Sequence, residues 1–176
     1  MKLEIQHGIY LREIDENDIG SIVKYANNVK ISGFMRDAFP FPYTIDDAAN
    51  WLGVVNENTP KRSFAIANEN EFIGAIGIEP CRDVNRYAGE IGYWIAEPFW
   101  GKGIATEAVK IFVKYIFNKY DLLKIFAHVF SSNQASTRVL EKAGFRLEGK
   151  LRNQIIKSGK VLDQLVYGIL KEEILP

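Results

Sequence analysis

Glu90-Ile91-Gly92-Tyr93-Trp94-Ile95-Ala96-Glu97-Pro98-Phe99-Trp100-Gly101-Lys102-Gly103-Ile104-Ala105-Thr106-Glu107-Ala108 decides how this chain is read. The run Glu90 to Ala96 predicts a strand, closed by Pro98. A glycine-containing loop follows, and then a long helix from about Gly103 to Asn118. The helix carries an apolar stripe of Ala105, Ala108, Val109, Phe112 and Ile116, with Glu107, Lys110 and Lys114 facing water. The first turn of a helix has unpaired N–H groups and a partial positive charge, a combination suited to a phosphate. Gly101 and Gly103 let the backbone close on an anion without a Cβ in the way, and Lys102 adds a charge between them. A phosphorylated ligand is one reading; a tight turn is the other, and the two glycines alone do not choose. The loop is neither a G-x-x-x-x-G-K-[ST] loop nor G-x-G-x-x-G, because Thr106 stands three residues after Gly103.

Around this segment the elements alternate, which predicts a mixed α/β domain over residues 1–176. A first strand is expected over Gly8 to Glu13, then a helix capped by Asp15 with Ile19, Ile22, Val23 and Ala26 at helical spacing. Phe39-Pro40-Phe41-Pro42-Tyr43 reads as extended, since each proline disfavours helix in the residue before it. Thr44 and Asp47 suit a second helix start, with Ile45, Ala48, Leu52 and Val55 as its buried stripe. Strands near Ser63–Ala67 and Phe72–Glu79 form an antiparallel pair about the Asn68-Glu69-Asn70 turn. After the long helix come a strand from Lys124 to Phe130, a short helix capped by Asn133 and ended by Gly144, and two strands flanking Ser158-Gly159.

The chain has 176 residues, 47% hydrophobic and 25% charged, as expected of a folded protein with one real core. Lys and Arg total 22 and so do Asp and Glu, so no basic excess suggests direct nucleic-acid binding. No apolar run approaches the ~18 residues of a membrane span. The start, Met1-Lys2-Leu3-Glu4, lacks a signal-peptide pattern, and a cytoplasmic location is expected. Two histidines, His7 and His128, and one cysteine, Cys81, exclude a thiolate zinc cluster and an intramolecular disulfide. No metal is expected. Cys81 reads as a bystander, and His128 as a structural histidine among apolar strand residues.

Trp100 to Ala108 resembles the acetyl-CoA pyrophosphate loop of the GNAT N-acetyltransferase superfamily. A second signature fits at the expected spacing: Asn133-Gln134-Ala135-Ser136-Thr137-Arg138-Val139-Leu140-Glu141-Lys142-Ala143-Gly144-Phe145, then Glu148-Gly149. Phe41-Pro42-Tyr43-Thr44 with Asp47-Ala48 is similar to the branch that acetylates ribosomal-protein N-termini, the RimJ/RimL type. The resemblance covers nearly the whole chain. It implies a mixed, mostly antiparallel twisted sheet, splayed at the centre, with helices on both faces. It also implies acetyl-CoA as cosubstrate. The pantetheine arm would pair with backbone near Trp94 and Ile95. The amides of Gly101, Lys102, Gly103, Ile104 and Ala105 would hold the pyrophosphate. Asn133 would bond the pantetheine or thioester region. Trp100 stands where the loop usually opens with Gln or Arg. Arg138, four residues before Lys142, is a candidate for the CoA 3′-phosphate, although a solvated basic face explains the pair as well.

Acetyl transfer to an amine needs a neutral amine, a stabilised oxyanion and a departing thiolate. An α-amino group, with pKa about 7.7–8.0, is roughly a tenth neutral at pH 7, whereas a lysine near 10.4 is almost wholly charged. Positioning then contributes more than a strong base would. By the resemblance Glu90 is the base candidate, with Glu79 and Glu97 as rivals. The oxyanion donor is expected among backbone amides of Tyr93 to Ile95. The usual tyrosine of the second signature is replaced by Leu140, which cannot donate a proton; Ser136, on the same helix face as Val139, Leu140 and Ala143, is the substitute. The glutamate that this branch carries after Glu148-Gly149 corresponds to Ile155 here. Phe34, Phe39, Phe41, Tyr43 and Tyr87 are candidates to line the acceptor cleft, with core packing as the alternative explanation for at least half of them; Asp46 and Asp47 could attract an amine but equally suit a helix N-terminus.

The expected function is therefore acetyl-CoA-dependent N-acetylation of a primary amine, foremost a protein N-terminus. Alternatives are a small-molecule amine (polyamine, antibiotic or amino-acid derivative), a non-catalytic CoA-binding module, or a phosphate loop for another nucleotide. Leu151–Leu170 offers a surface for a homodimer, by analogy alone.

Overall fold

The computed structural model describes every residue except Met1, His7 and Pro176. His7, counted above, thus lies outside the described residues. In chain order the elements are β1 (Lys2–Gln6), β2 (Ile9–Arg12), α1 (Ile19–Ala26), α2 (Val29–Ser32), α3 (Ile45–Glu57), β3 (Ser63–Ala67), β4 (Phe72–Pro80), β5 (Ala88–Ile95), α4 (Ile104–Lys119), β6 (Lys124–Phe130), α5 (Gln134–Lys142), β7 (Arg146–Lys157) and β8 (Lys160–Leu170). Among the described residues the strands form one sheet in the order β1-β2-β3-β4-β5-β6-β8-β7, mostly antiparallel. The exception is β5–β6, which is parallel and joined through α4, as a parallel connection requires. The residues group into two compact units, described in turn: Met1–Gly77 with Tyr93–Ala108, and Ile78–Gly92 with Val109–Pro176.

In the first unit, Asp15 caps a short 3-10 turn that leads into α1, its side chain accepting from the Asn17 amide at 2.8 Å. Asp18, buried at 3% exposure, accepts two bonds from the Arg12 guanidinium at 2.6 and 2.5 Å and one from the Asp15 amide at 3.0 Å. That bidentate pair holds the Arg12 pKa above its ordinary value. Thr44 and Asp47 form a reciprocal capping box on α3: Thr44 Oγ1 accepts from the Asp47 amide at 3.2 Å, and Asp47 Oδ2 accepts from the Thr44 amide at 2.8 Å. α1 and α3 bury Ile22, Ala26, Ala48, Leu52 and Val55 with Tyr10, Phe72 and Trp94. Phe72 and Trp94 meet at 5.5 Å between ring centroids. Gly74 on β4 is required by close approach: a Cβ there would run into the Trp94 carbonyl oxygen.

In the second unit, Ile125, Ala127 and Val129 of β6 are buried while His128 is exposed. Strand alternation puts His128 on the face opposite its apolar neighbours. β6 pairs with β8 from Lys124↔Leu170 to Phe130↔Gln164. α5 ends in a Schellman motif, with the Phe145 amide donating to the Leu140 carbonyl at 3.0 Å and the Gly144 amide to Glu141 at 3.1 Å. Gly144 has φ +97°, and the flanking Leu140 and Phe145 are buried together at the end of the helix. Ser158 and Gly159, with φ +49° and +75°, form the two-residue turn of the β7–β8 hairpin.

Three local expectations change. β1 and the four-residue α2 are additional elements. The 39–43 segment is a bent loop, with the Phe39 amide turned back on the Arg36 carbonyl at 2.9 Å, instead of an extended one.

Candidate active site

In the first unit the segment after β5 makes a short 3-10 turn at Glu97–Phe99 and then the exposed run Gly101-Lys102-Gly103, before buried Ile104 starts α4. Gly101 and Gly103 adopt φ +74° and +77°, conformations that side-chain-bearing residues adopt at a cost. A Cβ at either would meet no protein atom within 4 Å. The glycines therefore serve the backbone path and keep the face of the loop open, and do not relieve a packing clash. The first-turn amides of α4 have no intrahelical acceptors. The geometry and chemistry fit an anion on this loop.

Trp100 closes the loop back on its own strand: its indole Nε1 donates to the Ile95 carbonyl at 2.6 Å. The residue that replaces the usual polar opener thus braces the loop against the end of β5. Gln6 Nε2 donates to the Lys102 carbonyl at 3.1 Å, and the Lys102 ammonium lies 5.3 Å from the Phe99 ring centroid. Trp94 and Ile95 are buried, so only their backbone is a candidate for ligand contact. Glu97 accepts from Lys30 and, at 2.8 Å, from Asn28 Nδ2; the Lys30 bond holds its carboxyl below the usual range. This rival base is committed to pinning α2.

Of the aromatic acceptor candidates in this unit, Phe34 is exposed, whereas Phe39 and Tyr43 pack together at 4.9 Å, with Phe39 5.9 Å from Trp94. Burial pushes the Tyr43 phenol up to about 12, so it stays protonated at neutral pH. Tyr43 is buried and Phe39 packs partly buried against the same core.

In the second unit Glu90 is the third residue of β5 and stands opposite Phe126 in the parallel register that runs from Ala88↔Lys124 to Glu90↔Phe126. Its side chain is about one-third exposed (33%) and bonds through Oε1 to His128 Nδ1 at 3.1 Å. The other rival, Glu79, is exposed near the end of β4. Asn133 caps α5, its Oδ1 accepting from the Ser136 amide at 3.1 Å, which leaves Nδ2 as the donor group of the side chain. Ser136 sits half-buried in the first turn of α5, and Leu140 is fully buried one turn on. Tyr167 OH donates to Glu141 at 3.0 Å and ties α5 to β8. Arg138 and Lys142 are exposed. Tyr87 is exposed, with the Arg86 guanidinium 5.0 Å from its ring centroid. The His128 contact and the Trp100 brace were not anticipated from sequence; only the strand register and the loop path reveal them.

The GNAT acetyltransferase domain model matches residues 9–146. The "Uncharacterized N-acetyltransferase YoaA" of Bacillus subtilis (strain 168) is 42% identical over 166 residues, 93% of each chain. The spermidine N(1)-acetyltransferase of Escherichia coli (strain K12) is 25% identical over 170 residues, 96% of this chain and 89% of that protein. The solved structure of Mycobacterium smegmatis RimJ in complex with CoA-disulfide superposes with a TM-score of 0.84 at 25% identity, covering 96% of this chain and 84% of RimJ. A glycine loop opening α4, a capped α5 carrying Ser136 and an eight-stranded mixed sheet thus coincide with a family match over most of the sequence: the chain belongs to the GNAT family and is an acetyltransferase.

Proposed function

We propose that the protein moves the acetyl group of acetyl-CoA to a primary amine by direct attack on the thioester, with the α-amino group of a polypeptide as the leading acceptor. The observation that carries this reading is the open Gly101–Gly103 loop, held at positive φ where α4 begins. There the amides of Gly101 to Ala105, with Lys102, receive the pyrophosphate. The backbone of Trp94 and Ile95 receives the pantetheine arm, Asn133 Nδ2 the thioester region, and Arg138 the 3′-phosphate.

In the reaction the amine nitrogen forms a bond to the acetyl carbon, backbone amides of β5 stabilise the oxyanion, and the C–S bond breaks. Glu90 takes the amine proton and releases it to solvent, and Ser136 relays a proton from solvent through its hydroxyl to the thiolate, so both side chains return to their starting states. An α-amine asks less of a base at neutral pH than a lysine does, because roughly a tenth of it is already neutral. A thiol of pKa about 8.5 is a tolerable leaving group. Of the aromatic acceptor candidates, Phe34, Phe41 and Tyr87 are exposed.

A second reading keeps the chemistry and exchanges the acceptor for a polyamine. It is favoured by the 25% identity to spermidine N(1)-acetyltransferase across 96% of the chain. The test is acetyl-CoA calorimetry followed by free-thiol release over a panel of amines: peptides with free N-termini, the same peptides blocked, and polyamines. Release with free but not blocked peptides supports the first reading. Release with polyamines alone moves the assignment to the second. Absence of acetyl-CoA binding contradicts both.

A further inference from the structure

We propose that His128 is the positioning residue for Glu90, a role that rests on the reading of Glu90 as proton acceptor. The parallel register places Glu90 opposite Phe126, and strand alternation brings His128 to the same face two residues on. The His128 ring is fixed from two sides. Its Nδ1 lies 3.1 Å from Glu90 Oε1, and the Phe126 ring meets it edge to face, 5.3 Å between centroids at 74°.

An ionised carboxylate only accepts hydrogen bonds, so this contact needs the proton on Nδ1. The imidazole then donates to one carboxylate oxygen and leaves Oε2 for the incoming amine. Both side chains are about one-third exposed, at 31% for His128 and 33% for Glu90, so an amine can reach them. Two charged groups on these strands are paired elsewhere: Lys124 with Glu148 at 2.5 Å and Arg146 with Glu173 at 3.0 Å. The Glu90 carboxylate is thus oriented through one oxygen by the imidazole N–H, with the other oxygen left for the amine.

The test compares two His128 variants with Glu90→Gln, all assayed by amine-dependent thiol release after wild-type turnover is established. His128→Asn keeps a donor near the Nδ1 position and loses the ring. His128→Phe keeps the ring and its packing on Phe126 and loses the donor. The expected result is that His128→Asn stays within about threefold of wild type, while kcat of His128→Phe falls roughly 10- to 100-fold, part of the 10²–10⁴ that a general base supplies. KM for acetyl-CoA is expected to move less than about twofold in both, since the bond acts on the base and not on cosubstrate binding. The opposite order, with His128→Phe active and His128→Asn impaired, would show a packing role and overturn the inference. So would full activity of His128→Phe alongside an inactive Glu90→Gln, which leaves the Glu90 assignment intact. Wild-type activity in Glu90→Gln would instead remove Glu90 as base, and the role of His128 with it.

Discussion

Gly103→Ala separates the backbone demand of the loop from its ligand demand. The residue has φ +77° and open space around its Cβ direction, so alanine brings left-handed strain and no clash. That strain is about 1–2 kcal/mol. For a domain of this size each kcal/mol lowers Tm by about 2–4 °C, so a fall of about 2–8 °C is expected. A margin of about 5–15 kcal/mol keeps the variant folded at 25 °C. Gly159→Ala is the matched control: φ +75°, equally open space, but in the β7–β8 turn. Both variants lose similar stability in a thermal melt. In acetyl-CoA calorimetry at 25 °C the proposed site predicts that only Gly103→Ala weakens binding, by at least about tenfold, or about 1.4 kcal/mol, because its methyl group would project into the place proposed for the pyrophosphate. Equal Kd values for wild type, Gly103→Ala and Gly159→Ala would refute the assignment of this loop.

Other perturbations follow from the same geometry. Gly74→Ala drives a methyl group into the Trp94 carbonyl and is expected to destabilise by about 1–3 kcal/mol in urea melts; an unchanged midpoint would mean that β4 and β5 yield freely there. Asp18→Asn removes the charge that accepts both Arg12 bonds and is expected to cost about 2–3 kcal/mol, discounted from a fully buried pair because Arg12 is 24% exposed; a loss under about 0.5 kcal/mol would show that solvent screens the pair. Glu71, Glu97 and Asp163 are held below their ordinary pKa by bonds chiefly from Lys24, Lys30 and Lys150. A depressed carboxyl stabilises the fold above its unfolded pKa of about 4, and the contribution disappears as pH falls through the folded value. The urea midpoint should therefore be lower at pH 3 than at pH 6, and Lys150→Met should shrink the difference; equal midpoints at the two pH values would contradict the ion pairs.

Local signals made much of the fold legible. The Thr44–Asp47 box, the Asn133 cap and the Gly144 stop are chemical statements within four or five residues, and each appears where the sequence places it. β1 is equally legible, since Lys2-Leu3-Glu4-Ile5-Gln6 alternates and buries Ile5. The 39–43 loop was misread because proline rules exclude helix without choosing between a strand and a bend. The site divides the same way. The loop glycines announce themselves by type, and Trp100 by its departure from the usual polar residue. His128 does not: residue 128 meets residue 90 only through the β5–β6 register, and its apolar neighbours suggested burial until alternation put them on the other face. Phe39 and Tyr43, candidates for the acceptor cleft, pack on each other and on the core of the first unit.

Direct transfer is the central claim, and the initial rate of free-thiol release over a grid of acetyl-CoA and amine concentrations tests it. The account predicts no release without amine and reciprocal plots that intersect, because amine and thioester meet on one enzyme molecule. A burst of thiol without amine, with parallel plots, would reveal an acetyl-enzyme intermediate and contradict direct attack.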